Sequence, residues 1–129
     1  MTRSTSRKAA RRQALYLLYQ WDLTGQELAS LYEGEPDAFA RSLAEAVAAR
    51  ADALDIRISA ASPDWPADRL GTLERNILRI GVYELEEETV PRAVAINEAV
   101  VLAKRYASED AARLVNGVLG RIARDEEAA

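Results

Sequence analysis

Cysteine and histidine are both absent from the 129 residues. Their absence excludes disulfides, thiol nucleophiles, Cys/His zinc sites and imidazole acid–base catalysis. It also fits a reducing cytosol, and we expect a cytoplasmic protein. Glycine (6) and proline (4) are scarce, and no stretch alternates with period two, so strands and tight turns have little support. No apolar run reaches the roughly 18 residues of a membrane span. The first residues lack the apolar stretch and small-residue cleavage site of a signal peptide; an Arg- and Ser-rich transit peptide is the weaker competitor. Only Lys8 and Lys104 among the 17 basic residues are lysines, which we read as a habit of composition.

What is present is apolar (49%) and charged (29%) in the proportions of a globular chain. The length suits one domain spanning residues 1–129. The net charge of −4 taken alone argues against nucleic acid. Its distribution does not. Residues 1–12 hold Arg3, Arg7, Lys8, Arg11 and Arg12 and no acid, while the other 117 residues set 12 bases against 21 acids, a net −9. A basic N-terminal arm on an acidic body follows.

The periodicity is helical almost throughout. A first helix spans about Ser6 to Leu23, ends at Thr24-Gly25, and buries Ala10, Ala14, Leu17, Leu18 and Trp21. A short helix is expected over Glu27–Tyr32. Another begins near Asp37, with a continuation or break near Asp52 before Leu54, Ile56 and Ile58. Ser62-Pro63-Asp64-Trp65-Pro66 reads as the connector. Thr72 is the expected N-cap of a helix reaching about Glu87, with Leu73, Ile77, Ile80 and Gly81 inward. A helix after Pro91 carries Ile96, Ala99, Val100 and Ala103. Ser108 caps the last, with Ala111, Leu114, Val115, Val118, Leu119 and Ile122 inward, before a frayed tail at 125–129. The sum is an all-α bundle of five to seven helices.

At about 100° per residue, Lys8, Arg12, Tyr16 and Tyr19 fall in one stripe roughly 80° wide, opposite Ala14 and Trp21. Cations meet phosphates and exposed rings stack on unpaired bases, so the stripe suits RNA. The structural alternative is a solvated face with tyrosines bridging to a neighbouring helix. Arg7 and Arg11 flank the buried face and would reach phosphate by snorkelling. Glu84, Glu86, Glu87 and Glu88 read as a solvated face, not a metal site. Asn97 and Asn116 read as buried amides tying helix to loop. Gly117, mid-helix, requires either close packing or a closely approaching ligand. No phosphate loop, nucleophile elbow or other catalytic motif occurs. We therefore expect no enzyme, no cofactor and no metal.

Longer words carry more. They include Tyr19-Gln20-Trp21-Asp22-Leu23-Thr24-Gly25, Leu73-Glu74-Arg75-Asn76-Ile77-Leu78-Arg79-Ile80 and Tyr83-Glu84-Leu85. Further on come Val94-Ala95-Ile96-Asn97-Glu98-Ala99-Val100, Leu102-Ala103-Lys104-Arg105-Tyr106, Ser108-Glu109-Asp110 and Leu114-Val115-Asn116-Gly117-Val118-Leu119. In this order and spacing the chain resembles the NusB family of bacterial transcription antitermination factors, most strongly from Trp65 to Ile122. The resemblance implies two packed helical subdomains. It implies binding to boxA RNA of nascent ribosomal-operon transcripts together with the small-subunit ribosomal protein NusE, and entry into the RNA polymerase elongation complex.

By the same resemblance, Arg7, Lys8 and Arg11 match basic RNA-contacting positions, and Tyr19, Tyr106 and Asp110 match positions at the RNA face. Arg12 and Tyr16 join them through the helical stripe. Glu74 matches the surface that meets NusE. The family's Gln-Ala-Leu-Tyr stands here three residues early, as Gln13-Ala14-Leu15-Tyr16, so Tyr16 and Tyr19 are both candidates. Gly120 stands where the family commonly has Asp. The alternatives from other classes are a helical protein-binding adaptor, an accessory domain of an RNA methyltransferase, and a homodimer closed over the RNA face.

Overall fold

The computed structural model describes residues 6–128; Arg3 of the basic arm lies outside the described residues. Six α-helices carry the chain, with no strand among the described residues. They are α1 (Arg7–Thr24), α2 (Ala38–Ala49), α3 (Ala51–Ala61), α4 (Thr72–Glu87), α5 (Arg92–Tyr106) and α6 (Glu109–Ala128). Short 3-10 turns at Leu28–Leu31 and Ala67–Arg69 fill two connections.

Local chemistry sets most boundaries. Ser6, Asp37 and Ser108 accept from the backbone N–H groups of Ala9, Ala40 and Ala111, satisfying otherwise orphaned donors at three helix starts. Gly25 closes α1 in the left-handed region, φ 72°, with its N–H on the Trp21 carbonyl. The chain bends between α2 and α3 at Arg50, just before the expected break. Gly71, not Thr72, occupies the N-cap position of α4, and Thr72 is its first helical residue.

Helix α4 is the axis of the molecule and packs against each of the other five. Residues 76–82 are buried without interruption, the mark of a helix enclosed on all sides. Helices α1 and α2 pack together on one flank and α5 and α6 on another, while α3 touches both α2 and α6. A single apolar cluster runs through all six, including Leu18, Val47, Leu54, Ile58, Ile77, Leu78, Ile80, Leu85, Val115 and Leu119. Each such side chain contributes about 1.5–3 kcal/mol by leaving water. At Gly81 a Cβ would meet Leu119 Cδ1 at 2.6 Å, so the missing side chain is what lets α4 and α6 approach.

Because α4 is enclosed, its polar residues must find partners inside the protein. Asn76 donates to Asp22 Oδ2 and to the Thr72 carbonyl. Arg79 makes a two-pronged bond to Asp55 at 2.8 and 2.7 Å and also reaches Asp22 at 3.0 Å. Arg75 donates to Asp22 from the rim. One carboxylate of α1 and one of α3 are thus bound to α4. Among the described residues no buried side-chain polar atom lacks a partner.

Several expectations are corrected. Asn97 and Asn116 are exposed, not buried. Helix α5 buries Ala95 and Ala99, and Asn97, two residues from each, points roughly 200° away. Asn116 follows buried Val115 and turns outward. A Cβ on Gly117 would touch nothing within 4 Å, so close packing does not explain that glycine. The solvated acidic face loses Glu84, which is buried. Helix α6 continues to Ala128, with Glu126 held by Arg57 and Arg92.

Burial would push the Asp22 carboxyl up. Hydrogen bonds from Arg75 and Asn76 and the charges of Arg79 and Arg75 outweigh it and hold that carboxyl below the usual carboxylate range. A depressed folded pKa contributes stability above the unfolded value, and this is lost as pH falls through the folded value. We expect Asp22→Asn to cost about 2 kcal/mol near neutral pH, as an ion pair of partly buried groups is broken. It should also flatten the decline of stability below about pH 4. Urea unfolding from pH 7 to pH 2.5 measures both.

Candidate nucleic-acid interface

Helix α1 turns its basic and aromatic stripe outward because its other faces are occupied by α2 and α4. Tyr16 is 59% exposed, Lys8 is exposed, and Arg12 and Tyr19 are half-buried. Arg12, Tyr16 and Tyr19 line a cleft of about 360 Å³, with Leu15 of α1, Leu73 of α4 and Tyr106 of α5. Three tyrosine rings and two leucines make its wall apolar, and an arginine stands at its side. The Tyr16 hydroxyl accepts from Gln20 Nε2 at 3.2 Å. The Arg105 guanidinium lies over the Tyr106 ring, 5.5 Å from its centre, a cation–π contact. Arg12 and Arg105 make no ion pair among the described residues. A cleft with aromatic walls and an arginine outside any ion pair among the described residues can stack planar rings and attract phosphate.

The remaining candidates are distributed differently. Arg7 turns toward α2, its guanidinium 4.2 Å from the centre of the Phe39 ring. Lys8 stands 3.7 Å from Glu98 of α5. Arg11 does not snorkel. It is 3% exposed and donates through Nε and Nη2 to the two Glu84 oxygens, both at 2.8 Å. Those bonds raise the Arg11 pKa against the opposing effect of burial, with Glu84 and Glu98 adding charge attraction. Exposing Arg11 would strand the Glu84 carboxylate inside the protein.

Glu74 and Asp110 meet in a neighbouring cleft of about 330 Å³. Trp65, Arg69, Leu70, Gly71, Ser108, Ala111 and Leu114 complete its lining. Asp110 thus sits with Glu74 and not in the tyrosine cleft, and is bonded by Arg113 one turn on. The Glu74 carboxylate folds back over Gly71, where a Cβ would meet Oε2 at 2.3 Å. That places a negative charge at the positive end of the α4 dipole. The two clefts adjoin, since Leu73 and Tyr106 line one while Glu74 and Ser108 line the other.

Sequence reading missed Trp65 and Leu73 in these clefts, the contact of Arg105 with the Tyr106 ring, and the burial of Arg11 and Glu84. For the buried pair a signal exists. Arg11 lies four and seven residues before Leu15 and Leu18, and Glu84 lies seven and four after Ile77 and Ile80, so each shares an apolar stripe. A cation and an acid both on core faces imply a mutual partner. Leu73 and Trp65 carry no such mark.

Fold and clefts together define a class: an all-helical binding scaffold with a tyrosine-walled cleft beside an acidic, tryptophan-bearing one. Family comparison narrows the class, with the family's model matching residues 8–124. The chain belongs to the NusB family. It is 38% identical to the transcription antitermination protein NusB of Myxococcus xanthus, covering 92% of this chain and 94% of that one. It superimposes on T. maritima NusB with a TM-score of 0.84 at 30% identity, covering 95% of this chain and 94% of that one. It is also similar to a chain of a crystal structure of antitermination factors NusB and NusE in complex with double-stranded RNA. There the TM-score is 0.81 at 34% identity, over 92% of this chain and 96% of that one.

The buried pair generates a stability prediction. Glu84→Ala leaves Arg11 buried and uncompensated and is expected to cost about 3–5 kcal/mol. The double variant Arg11→Met with Glu84→Leu should recover most of that loss, because an apolar pair of similar volume suits the site. Chemical denaturation of both proteins measures the difference. A double variant no more stable than Glu84→Ala would remove the burial argument.

Proposed function

We propose that this chain is a non-catalytic, cytoplasmic transcription antitermination factor. It binds single-stranded boxA RNA of nascent ribosomal-operon transcripts together with NusE and joins the elongating RNA polymerase complex. The observation that carries the reading is the cleft of Arg12, Tyr16, Tyr19 and Tyr106. Arg12 attracts phosphate, and the rings accept unpaired bases by stacking, which duplex RNA does not offer. Tyr16 and Tyr19 both take part, so either family register leaves the same face. Support from outside the chain is the similar chain solved with NusE and double-stranded RNA, which speaks for RNA and NusE as partners; the preference for a single strand rests on the tyrosine cleft alone.

The adjoining cleft suits the protein partner. Glu74 and Asp110 present acid beside Trp65, which is 55% exposed. A basic ribosomal protein meets there both charge complementarity and an aromatic anchor. RNA in one cleft and NusE in the next would support each other's binding without any chemical step.

The test is a titration of labelled boxA RNA with the full chain, with and without NusE. Affinity should rise when NusE is present. Arg12→Ala should weaken binding and reduce the salt slope by roughly 0.7, the contribution of one phosphate contact on a single strand. Tyr16→Ala should cost about 1–3 kcal/mol of RNA affinity with little change in slope. Glu74→Arg should weaken the NusE-dependent gain more than binding to RNA alone. No gain on adding NusE would count decisively against the proposal.

A further inference from the structure

Two carboxylates face the basic arm from below, and they are built differently. Glu84 is fully engaged, with two 2.8 Å hydrogen bonds from Arg11. Glu98 of α5 has a side chain only 13% accessible, yet among the described residues no hydrogen bond ties its carboxylate. What faces it is the Lys8 ammonium at 3.7 Å, on a side chain that is 68% accessible. Glu98 also adds to the negative field felt by Arg11.

A carboxylate retained for structure is expected to be hydrogen-bonded, as Glu84 is. Glu98 instead acts on its surroundings through charge. Its side chain is only 13% accessible and so has less room to move than that of Lys8. Lys8 is held at its tip alone and can leave. The stripe that contains Lys8 leads to Arg12 and the tyrosine cleft, so an incoming phosphate and the Glu98 carboxylate compete for one ammonium group.

We propose that Glu98 is an intramolecular competitor of RNA phosphate for Lys8. It occupies that cation in the free protein and limits how strongly phosphate alone can hold a strand on α1. This inference rests on the RNA-binding reading above. A strand must displace Glu98 to use Lys8, so part of the attraction is already spent inside the protein. Contacts that do not depend on charge, such as stacking in the tyrosine cleft, are unaffected. Glu98 therefore shifts weight from phosphate attraction toward recognition of unpaired bases.

The test uses the full chain and labelled boxA RNA, comparing wild type, Glu98→Gln, Lys8→Gln and the double variant over a range of salt. Glu98→Gln is expected to bind about two- to fivefold more tightly, the scale of a partly exposed ion pair's attraction. Its salt slope should steepen by up to about 0.7, because Lys8 is now available to neutralise a phosphate and release a cation condensed on the strand. In the Lys8→Gln background the same change should give no gain. Glutamine keeps the shape of the side chain, and thermal unfolding checks that the fold is retained; Glu98→Ala provides a second variant with the same expected direction. Equal or weaker binding by the Glu98 variants would overturn the competition. So would a gain that persists without Lys8, since the effect would then be one of general charge. A wild type that binds no RNA would overturn both this inference and the proposed function, whereas a wild type that binds while the Glu98 variants match it would overturn this inference alone.

Discussion

The structure depends on one constraint: α4 is enclosed on all sides and yet carries Asn76, Arg79 and Glu84 in its interior. A buried guanidinium, amide or carboxylate without a partner costs several times what its hydrogen bond adds. Partners must therefore come from the neighbours. Asp22 and Arg11 come from the two ends of α1, and Asp55 comes from α3. Apolar packing alone would let α1 slide or rotate on α4. Two polar attachments eleven residues apart remove both freedoms, and the rotation they select presents Tyr16 and Arg12 to solvent.

That orientation also sorts the charges of the basic arm. Arg11 is neutralised by Glu84, Lys8 is faced by Glu98, and Arg7 lies on Phe39. Arg12, beside the tyrosine cleft, keeps its charge free of any ion pair among the described residues. Among the described residues of the arm, Arg7 and Arg12 are thus the bases outside any ion pair, a small, placed positive field on an acidic protein. The net charge of −4 says little about what such a surface attracts, because Debye screening limits each ligand to the charges within about 8–10 Å.

Much of the architecture was legible because it is local. The helices of the C-terminal half follow from apolar spacing and from Ser108, and Gly25 ends α1 as its sequence suggests. The stripe of Lys8, Arg12, Tyr16 and Tyr19 follows from one helix's angular geometry. What failed was inference about polar residues on those same helices. Asn97 and Asn116 interrupt apolar runs, which suggests burial, but each sits on the angle its helix turns to solvent. The three glutamates that closely follow Glu84 suggest a surface position, although its angle is that of Ile77 and Ile80. Angle on the helix predicted burial better than residue chemistry did. The ion pairs of Glu126 with Arg57 and Arg92, distant in sequence, are likewise invisible to position in the chain.

By itself, the sequence determined the helical class, most helix boundaries and the face on which cations and tyrosines coincide, since these depend on contacts within a few residues. Its longer motifs also determined the family. Only the tertiary structure decided which basic residues are available. Whether Arg11, Lys8 or Arg12 keeps a free charge depends on acids brought from α4 and α5, between 73 and 90 residues away in the chain for the two paired ones. The same holds for the cleft, whose walls come from α1, α4 and α5. Burial and pairing are properties of the assembled neighbours, and no single helix contains that information.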